Sequence, residues 1–196
     1  MTASVAAELT EARNVLMLAR SMSPESGEVH EDLLASRALG EERLLVLTFR
    51  PPERWVRRLR SRYERMPAET EIIALNETGA PAQVGTDDVS VTTLNPTDLT
   101  GVGMAVSDVI QAWAGDDAQT VVCFDSVTEF LQYADRSTMY RFLRVVTRRF
   151  DAVDGFAHFH MDPDAHDTET IATLKSPFDA IVDASSPDEV TVSTRF

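Results

Sequence analysis

The chain has 196 residues with 32 acidic and 18 basic side chains, and its net charge of −14 argues against a general attraction to nucleic acid or to anionic lipid. This length suits one α/β domain that buries a core without disulfides. Cys123 is the only cysteine, which excludes an internal disulfide and a four-thiolate zinc site. Its apolar neighbours predict a place in the core.

The basic residues are nearly all arginines, because Lys175 is the one lysine. A carboxylate-rich, lysine-poor surface is typical of proteins kept soluble in concentrated salt, so we expect a halophilic cytosol; an acidic protein of ordinary salt is the alternative. Residues 1–14 have neither the basic start nor the apolar stretch of a signal peptide, and no apolar run approaches the length of a membrane span. The sequence therefore predicts a cytoplasmic protein without membrane contact.

Short apolar runs alternate with amphipathic segments along the chain. Continuous apolar runs are typical of strands that are buried on both faces of a sheet. The predicted strands cover residues 14–19, 43–49, 71–75, 89–94, 120–124, 155–160, 178–184 and 190–196. The predicted helices, where apolar side chains recur at helical spacing, cover residues 24–39, 52–66, 102–113 and 137–150. This alternation predicts a single domain over residues 1–196, with helices on both faces of a mainly parallel sheet.

Two segments depart from strict alternation. Residues 76–88 form a loop with Gly and Pro that joins two predicted strands. Residues 185–189, SSPDE, turn the chain into a last strand in which Val190, Val192 and Phe196 alternate with polar residues. We expect a C-terminal hairpin at the edge of the sheet.

The stretch VVCFDSVTEFLQY, residues 121–133, joins an apolar strand to a helix through an Asp-Ser pair. It resembles the Walker B segment of the RecA and KaiC group of ATPases, in which the strand-end aspartate orients Mg²⁺. Asp125 matches that aspartate and Ser126 the residue after it. The order of elements agrees over nearly the whole chain, which also resembles haloarchaeal HTR-like (transducer-like) proteins. The resemblance implies a three-layer α/β fold of the P-loop NTPase type, although Asp125 could equally cap the following helix.

The residues that hydrolyse ATP in this group do not have counterparts here. A phosphate loop requires the pattern G-x-x-x-x-G-K-[ST], because glycine backbone and lysine together hold the phosphates. After the first predicted strand there is no lysine, and Glu28 follows Gly27 where the lysine would stand. Arg50 and Pro51 take the positions of the family's catalytic acids. The resemblance therefore implies a pseudo-ATPase with a degenerate phosphate loop; binding of ATP and Mg²⁺ without turnover is the alternative.

The stretch AHFHMDPDAHD, residues 157–167, holds three of the chain's four histidines. His158 and His160 are two apart on a predicted strand and share one face, and His166 follows in the loop at the strand's carboxyl end, where open α/β sheets bind ligands. Three imidazoles are a workable set of zinc ligands. We keep three interpretations: a metal site, a contact with a ligand or partner, and an ordinary strand end followed by an acidic turn before a capped helix.

Two predicted helices and the residues beside them are rich in arginine. The arginines of the first region are Arg50, Arg54, Arg57, Arg58, Arg60, Arg62 and Arg65, and those of the second are Arg141, Arg144, Arg148 and Arg149. Basic faces can bind nucleic acid or an acidic protein surface. The favoured interpretation is a solvated helix surface that is neutralised by the protein's own carboxylates. No nucleic-acid-binding module accompanies the arginines, so their best functional use is a protein contact, including self-association.

These observations predict a non-catalytic regulatory or signalling module of a halophilic archaeon that acts through protein contacts and needs no cofactor. One alternative is a metal-dependent hydrolase that uses His158, His160 and His166. The other is a regulator that binds a nucleotide, or binds nucleic acid through the arginine-rich helices.

Overall fold

The computed structural model describes residues 5–21, 24–35, 42–62, 66–78, 89–115, 118–186 and 189–195. In these ranges the chain forms one eight-stranded sheet. The strands are β1 (Asn14–Ala19), β2 (Arg43–Thr48), β3 (Glu69–Leu75), β4 (Val89–Leu94), β5 (Thr120–Asp125), β6 (Phe156–Met161), β7 (Ala180–Ser186) and β8 (Glu189–Thr194). Each predicted strand is confirmed with small shifts in its bounds.

The strands lie side by side in the order β4-β3-β2-β5-β6-β1-β7-β8. Every neighbouring pair is parallel except β7 and β8, which pair antiparallel at the edge of the sheet. The predicted mainly parallel sheet and its C-terminal edge hairpin are therefore confirmed. The predicted loop 76–88 leads from β3 to its parallel neighbour β4, but residues 79–88 lie outside the described part of the chain.

The helices flank the sheet. They are α1 (Val5–Glu8), α2 (Pro24–Ala35), α3 (Pro52–Arg62), α4 (Leu99–Trp113), α5 (Val127–Phe130), α6 (Arg136–Asp151) and α7 (Thr168–Lys175), and a 3₁₀ turn covers Pro163–Ala165. The four predicted helices correspond to α2, α3, α4 and α6, while residues 36–39 and 63–65 of those predictions lie outside the described ranges. Helix α7 had no predicted bounds because Leu174 is its one buried residue, too little for an apolar stripe.

The core is divided by the sheet into two apolar layers. On one face, side chains such as Leu45 and Phe124 pack with α4 and α6; we call this the α4/α6 face. On the other, side chains such as Leu44 and Cys123 pack with α2 and α3; we call this the α2/α3 face. The alternation follows from the pleat of the strands, which turns successive side chains to opposite faces. The predicted three-layer α/β fold is confirmed.

Stacked phenylalanines fix the carboxyl half of β5 from the α4/α6 face. The ring of Phe124 lies 5.1 Å from that of Phe130 and 5.0 Å from that of Phe159, and all three side chains are fully buried. Aromatic pairs at this separation add about 0.5–1.5 kcal/mol to the free energy of area burial. The end of β5 that carries Asp125 is therefore held by a cluster of buried aromatic rings.

Candidate functional site

The direction in which successive strands are added to the sheet changes between β2 and β5. These strands are neighbours, but the chain passes from β2 outward to β3 and from β5 in the other direction to β6. In open α/β sheets such a switch point leaves a crevice beyond the carboxyl ends of the strands, where ligands bind. Asp125 is the last residue of β5, and Arg50 lies just beyond the end of β2. Both sequence-predicted positions therefore lie at the switch point.

Arg50 and Asp125 form an ion pair there. The Nε atom of Arg50 donates to Oδ2 of Asp125 at 3.1 Å, and the Asp125 side chain is 13% exposed against 49% for Arg50. The backbone N–H of Arg50 donates to Oγ1 of Thr48 at 3.0 Å, and the indole of Trp55 donates to the same hydroxyl at 3.2 Å. The carboxylate that the Walker B resemblance assigns to Mg²⁺ is thus in contact with the chain's own guanidinium.

The capping interpretation of Asp125 is wrong by one residue. Ser126 is the N-cap of α5, because its backbone is extended and its Oγ accepts the backbone N–H of Glu129 at 3.2 Å. The peptide bond between Asp125 and Ser126 is cis. Burial, together with the nearby Asp125 carboxylate, raises the pKa of Glu129, while Arg50 opposes that rise. Asp125 is therefore free of a capping role and interacts with Arg50 instead.

The loop after β1, where a phosphate loop would lie, bonds to the chain's own carboxylates. The backbone N–H of Ser21 donates to Oδ2 of Asp162 at 2.8 Å. Arg20 pairs with Asp164 through Nε at 2.9 Å. Backbone N–H groups hold phosphate in an ordinary phosphate loop. Here an aspartate of the AHFHMDPDAHD stretch takes one of them.

A compact cluster of one cysteine and three histidines lies below this edge, on the α2/α3 face. Cys123 and His158 are register partners on β5 and β6, and His160 follows on the same face of β6. His30 reaches the pair from α2, and its Nε2 lies 3.6 Å from Sγ of Cys123. Its ring is 5.2 Å from that of His158 and 4.3 Å from that of His160. One ligand atom from each of the four residues lies within 4.8 Å of every other.

Burial sets the protonation of the cluster. It lowers the pKa of His30 and His158 well below the usual 6.5, and the like-signed neighbouring imidazoles and the Arg58 guanidinium lower both further. Burial also lowers the pKa of His160, although Asp125 opposes this. The same cause raises the pKa of the Cys123 thiol well above 9.0. At neutral pH the protein alone thus holds three neutral imidazoles and a thiol.

The cluster has polar atoms that the described protein does not satisfy. Neither ring nitrogen of His158 has a hydrogen-bond partner among the described residues, and the same holds for Nε2 of His160. The His158 side chain is fully buried. Buried polar groups are nearly always paired, since an unpaired one costs about 1–3 kcal/mol. An unpaired buried imidazole next to a thiol is the arrangement expected where a metal supplies the missing bonds.

His166 does not join this cluster, so the predicted set of His158, His160 and His166 is wrong in its third member. Nε2 of His166 lies 3.0 Å from Oγ1 of Thr128, the hydroxyl that also accepts the backbone N–H of Asp162 at 2.9 Å. Asp167 caps α7 by accepting the N–H of Thr170 at 2.7 Å. The end of the stretch is therefore the acidic turn before a capped helix.

Sequence reasoning missed the two other members of the cluster. His30 lies on a predicted helix without any metal-ligand spacing to the strand histidines, and only the packing of α2 on the sheet brings it to them. Cys123 was assigned to the core from its apolar neighbours. That prediction is confirmed, because its side chain is fully buried. Cys123 is thus a core residue whose sulfur also lies among the donor atoms of the cluster.

The arginine-rich helices α3 and α6 lie on opposite faces of the sheet and do not form one basic surface among the described residues. The exposed members are Arg54, Arg57, Arg60, Arg141, Arg144 and Arg148. Arg58 interacts within the protein: its Nη2 lies 3.3 Å from Oε1 of Glu31, and its guanidinium lies 5.7 Å from the ring of Trp55. The side chain of Arg62 and the whole of Arg65 lie outside the described part. No helix in the described ranges is long and apolar enough to cross a membrane.

The fold is similar to two solved structures from Pyrococcus horikoshii. The protein PH0250 of strain OT3 has a TM-score of 0.58 and 8% identity, over 93% of this chain and 86% of that chain. The uncharacterized protein PH0321, solved in complex with an unknown peptide, has a TM-score of 0.56 and 10% identity, over 94% of this chain and 83% of that chain. Identities this low show a shared fold alone. No curated protein matches the chain.

A family match covers most of the sequence. Residues 12–184 match the family of unknown function DUF7504. The matched segment contains every strand from β1 to β6 and all but the last residues of β7, together with the Arg50–Asp125 pair and the four cluster residues. The chain therefore belongs to the DUF7504 family.

Proposed function

We propose that this chain is a cytosolic regulatory or signalling module of RecA/KaiC-like descent that does not hydrolyse ATP and acts through contacts with other proteins. The Arg50–Asp125 ion pair is the observation that carries the proposal. A Mg²⁺ ion at Asp125 would have to displace the guanidinium. Arg50 also stands at the first catalytic-acid position of the family pattern. The Asp125 carboxylate therefore already has a cationic partner and needs no metal ion.

The β1 loop supports the same proposal. A bound triphosphate would need the backbone N–H groups and a lysine in this loop. Ser21 N–H is already bonded to Asp162, Arg20 to Asp164, and Glu28 follows Gly27. The three carboxylates near this loop, those of Asp162, Asp164 and Glu28, repel phosphate. Without contacts for the metal ion and for the phosphates, the fold is more suited to binding other proteins through its surface than to hydrolysing ATP.

The α4/α6 surface offers a place for a protein contact. Among the described residues, Met104 and Val145 are large apolar side chains with 61% and 48% of their surface exposed. They line a shallow groove of about 330 Å³ together with Arg141 and Arg149. Exposed apolar side chains ringed by polar ones are typical of protein interaction sites.

A metal-dependent hydrolase is the less favoured function. A catalytic zinc ion keeps one coordination position open for water or substrate. The cluster instead offers four protein donors beneath α2, and His166, the predicted third ligand, bonds to Thr128. A metal held there would be enclosed by protein.

The direct test is a binding and turnover assay with Mg-ATP in molar potassium chloride. We expect neither a thermal shift nor phosphate release from the wild type. Mg²⁺-dependent turnover that Asp125→Ala abolishes would contradict the proposal. For the contact surface, sedimentation of the wild type and of Met104→Glu would show whether that face joins two copies of the chain.

A further inference from the structure

The geometry points to a closed four-ligand site for a zinc-class divalent cation, formed by His30 of α2, Cys123 of β5, and His158 and His160 of β6. This site is distinct from the switch-point crevice and does not depend on the proposed regulatory function. It would fasten α2 to the two central strands of the sheet.

The donor set fits zinc. Three imidazole nitrogens and one thiolate sulfur are the ligand types of structural zinc sites, which are tetrahedral and have four protein ligands. Bond lengths of about 2.0–2.1 Å to nitrogen and 2.3 Å to sulfur place the two atoms about 3.6 Å apart in a tetrahedron. His30 Nε2 and Cys123 Sγ are 3.6 Å apart. The remaining ligand atoms lie within 4.8 Å of one another and would approach to about 3.3 Å between nitrogens as they bind.

The buried, unpaired nitrogens are the second and independent observation. His158 is fully buried with neither ring nitrogen bonded in the described protein, and its neighbour on β5 is the chain's only cysteine. A core that served packing alone would place apolar side chains at these positions. A metal ion would bond to one nitrogen of each histidine and so give His158 a partner that the described protein does not provide.

Metal binding would release one proton from the cluster. Each imidazole would bind the ion through a ring nitrogen that carries no proton. The Cys123 thiol is the one group that must lose a proton, and that proton passes to solvent as the metal–sulfur bond forms. A thiolate and three neutral imidazoles around a divalent ion leave one net positive charge.

The ion would link α2 to the strands that end near the switch point. His30 is the only member from outside the sheet, so releasing the metal would remove this link, while the apolar packing of α2 on the sheet would remain. Arg58, which bonds to Glu31 on α2, borders the same cluster. Binding of the metal would therefore fix the α2/α3 layer next to Arg50 and Asp125.

The test uses the full chain, produced without a histidine tag in zinc-supplemented medium and purified in molar potassium chloride. Elemental analysis of the wild type should give about one zinc per chain. Cys123→Ser and His30→Gln should each weaken zinc binding by more than about 100-fold, the upper figure for loss of a mere outer-shell partner. His166→Gln, a histidine outside the cluster, is the matched control and should keep the metal.

Cobalt(II) gives a readout that does not depend on stoichiometry. In the wild type and in His166→Gln it should produce the intense visible bands of a tetrahedral ion and a sulfur-to-cobalt charge-transfer band. Cys123→Ser should lose the charge-transfer band. Far-ultraviolet circular dichroism shows whether each variant is folded, and a strong chelator should lower the Tm of the wild type and His166→Gln but not that of Cys123→Ser.

Three results would overturn the inference. One is folded wild-type protein that contains no zinc and gives no cobalt bands. Another is equal zinc binding by the wild type, Cys123→Ser and His30→Gln. The third is copper in place of zinc in protein grown with both metals, since that would remove the zinc-class assignment.

Discussion

Arg50 donates its Nε–H to Asp125 across the gap between β2 and β5, two residues that are 75 positions apart in the sequence and 3.1 Å apart in space. The aspartate is nearly buried and the arginine is half exposed. In RecA-like ATPases, by the resemblance, the corresponding carboxylate serves a metal ion. Under the proposed RecA/KaiC-like descent, Arg50 stands in place of a catalytic acid, so a single substitution would both remove the acid and neutralise the carboxylate that remains.

Loss of this arginine should destabilise the fold. Arg50→Ala leaves the mostly buried Asp125 carboxylate without its partner, and we expect the free energy of unfolding to fall by about 1–3 kcal/mol. Urea denaturation in molar potassium chloride measures the change. Arg136→Ala is the matched control, because its pair with Glu169 is exposed and should add little. Equal effects of the two variants would show that the Arg50 pair is as weak as a surface pair.

The helix cap makes a separate prediction at the next residue. Ser126→Ala removes the oxygen that accepts the Glu129 N–H, so the free energy of unfolding should fall by about 0.5–2 kcal/mol. Ser126→Asp keeps an accepting oxygen and should retain most of that stability, despite the nearby Asp125 and Glu129. Denaturation of the three proteins under one condition gives the comparison. If Ser126→Ala is as stable as the wild type, the cap does not contribute.

The histidine cluster predicts a pH dependence for metal-free protein. Folding lowers the pKa of His30 and His158, so the unfolded chain binds more protons below about pH 6.5 and stability falls as pH falls through that value. Below it, each such histidine lowers the free energy of unfolding by on the order of 1 kcal/mol per pH unit. Above it the contribution is constant.

Denaturation curves at about pH 7.5 and pH 5.5, with chelator present, measure this linkage. His158→Gln should reduce the difference between the two pH values by the share of one histidine. His166→Gln should change it less, since His166 is partly exposed and bonds to Thr128. A difference unchanged by His158→Gln would mean that His158 is protonated in the folded state.

The arginines of α3 should divide into two kinds. Arg58→Ala removes an ion pair with Glu31 and a contact with the Trp55 ring, for an expected loss of about 1–2 kcal/mol in the free energy of unfolding. Arg57→Ala, on the exposed side of the same helix, should leave stability unchanged. Neither variant should alter nucleic-acid binding, which we expect to be absent. A mobility-shift assay in which the wild type binds DNA or RNA and Arg57→Ala does not would contradict that expectation.

Strands β1, β2 and β5 were predictable because each is a continuous apolar run, which is typical of strands buried on both faces of a sheet. β6 shows the limit of this reasoning. Its pattern FAHFHM indicates a strand and places His158 and His160 on one face, and the structure confirms both. The pattern does not say what lies opposite that face.

The candidate site depended on information that is not local. His30 and Arg50 follow different strands, and each reaches its partner only through the packing of α2 on the sheet and the adjacency of β2 and β5. His166 misled because closeness in sequence suggested closeness in space. The chain instead turns through Pro163–Ala165, and the imidazole of His166 forms a hydrogen bond with Thr128 of α5. Spacing predicts well which side chains lie together on one strand or helix, and poorly which ones meet between elements.

Cys123 provides a kinetic measure of how firmly α2 is held. It is the only thiol in the chain, and its side chain is completely shielded under α2. A thiol reagent can therefore modify the folded protein only during transient excursions in which the α2/α3 layer separates from β5. The labelling rate, divided by the rate for unfolded chain, gives the equilibrium constant of that opening when closing is fast. The sulfur of Cys123 therefore allows the local opening of the domain to be measured without an introduced probe.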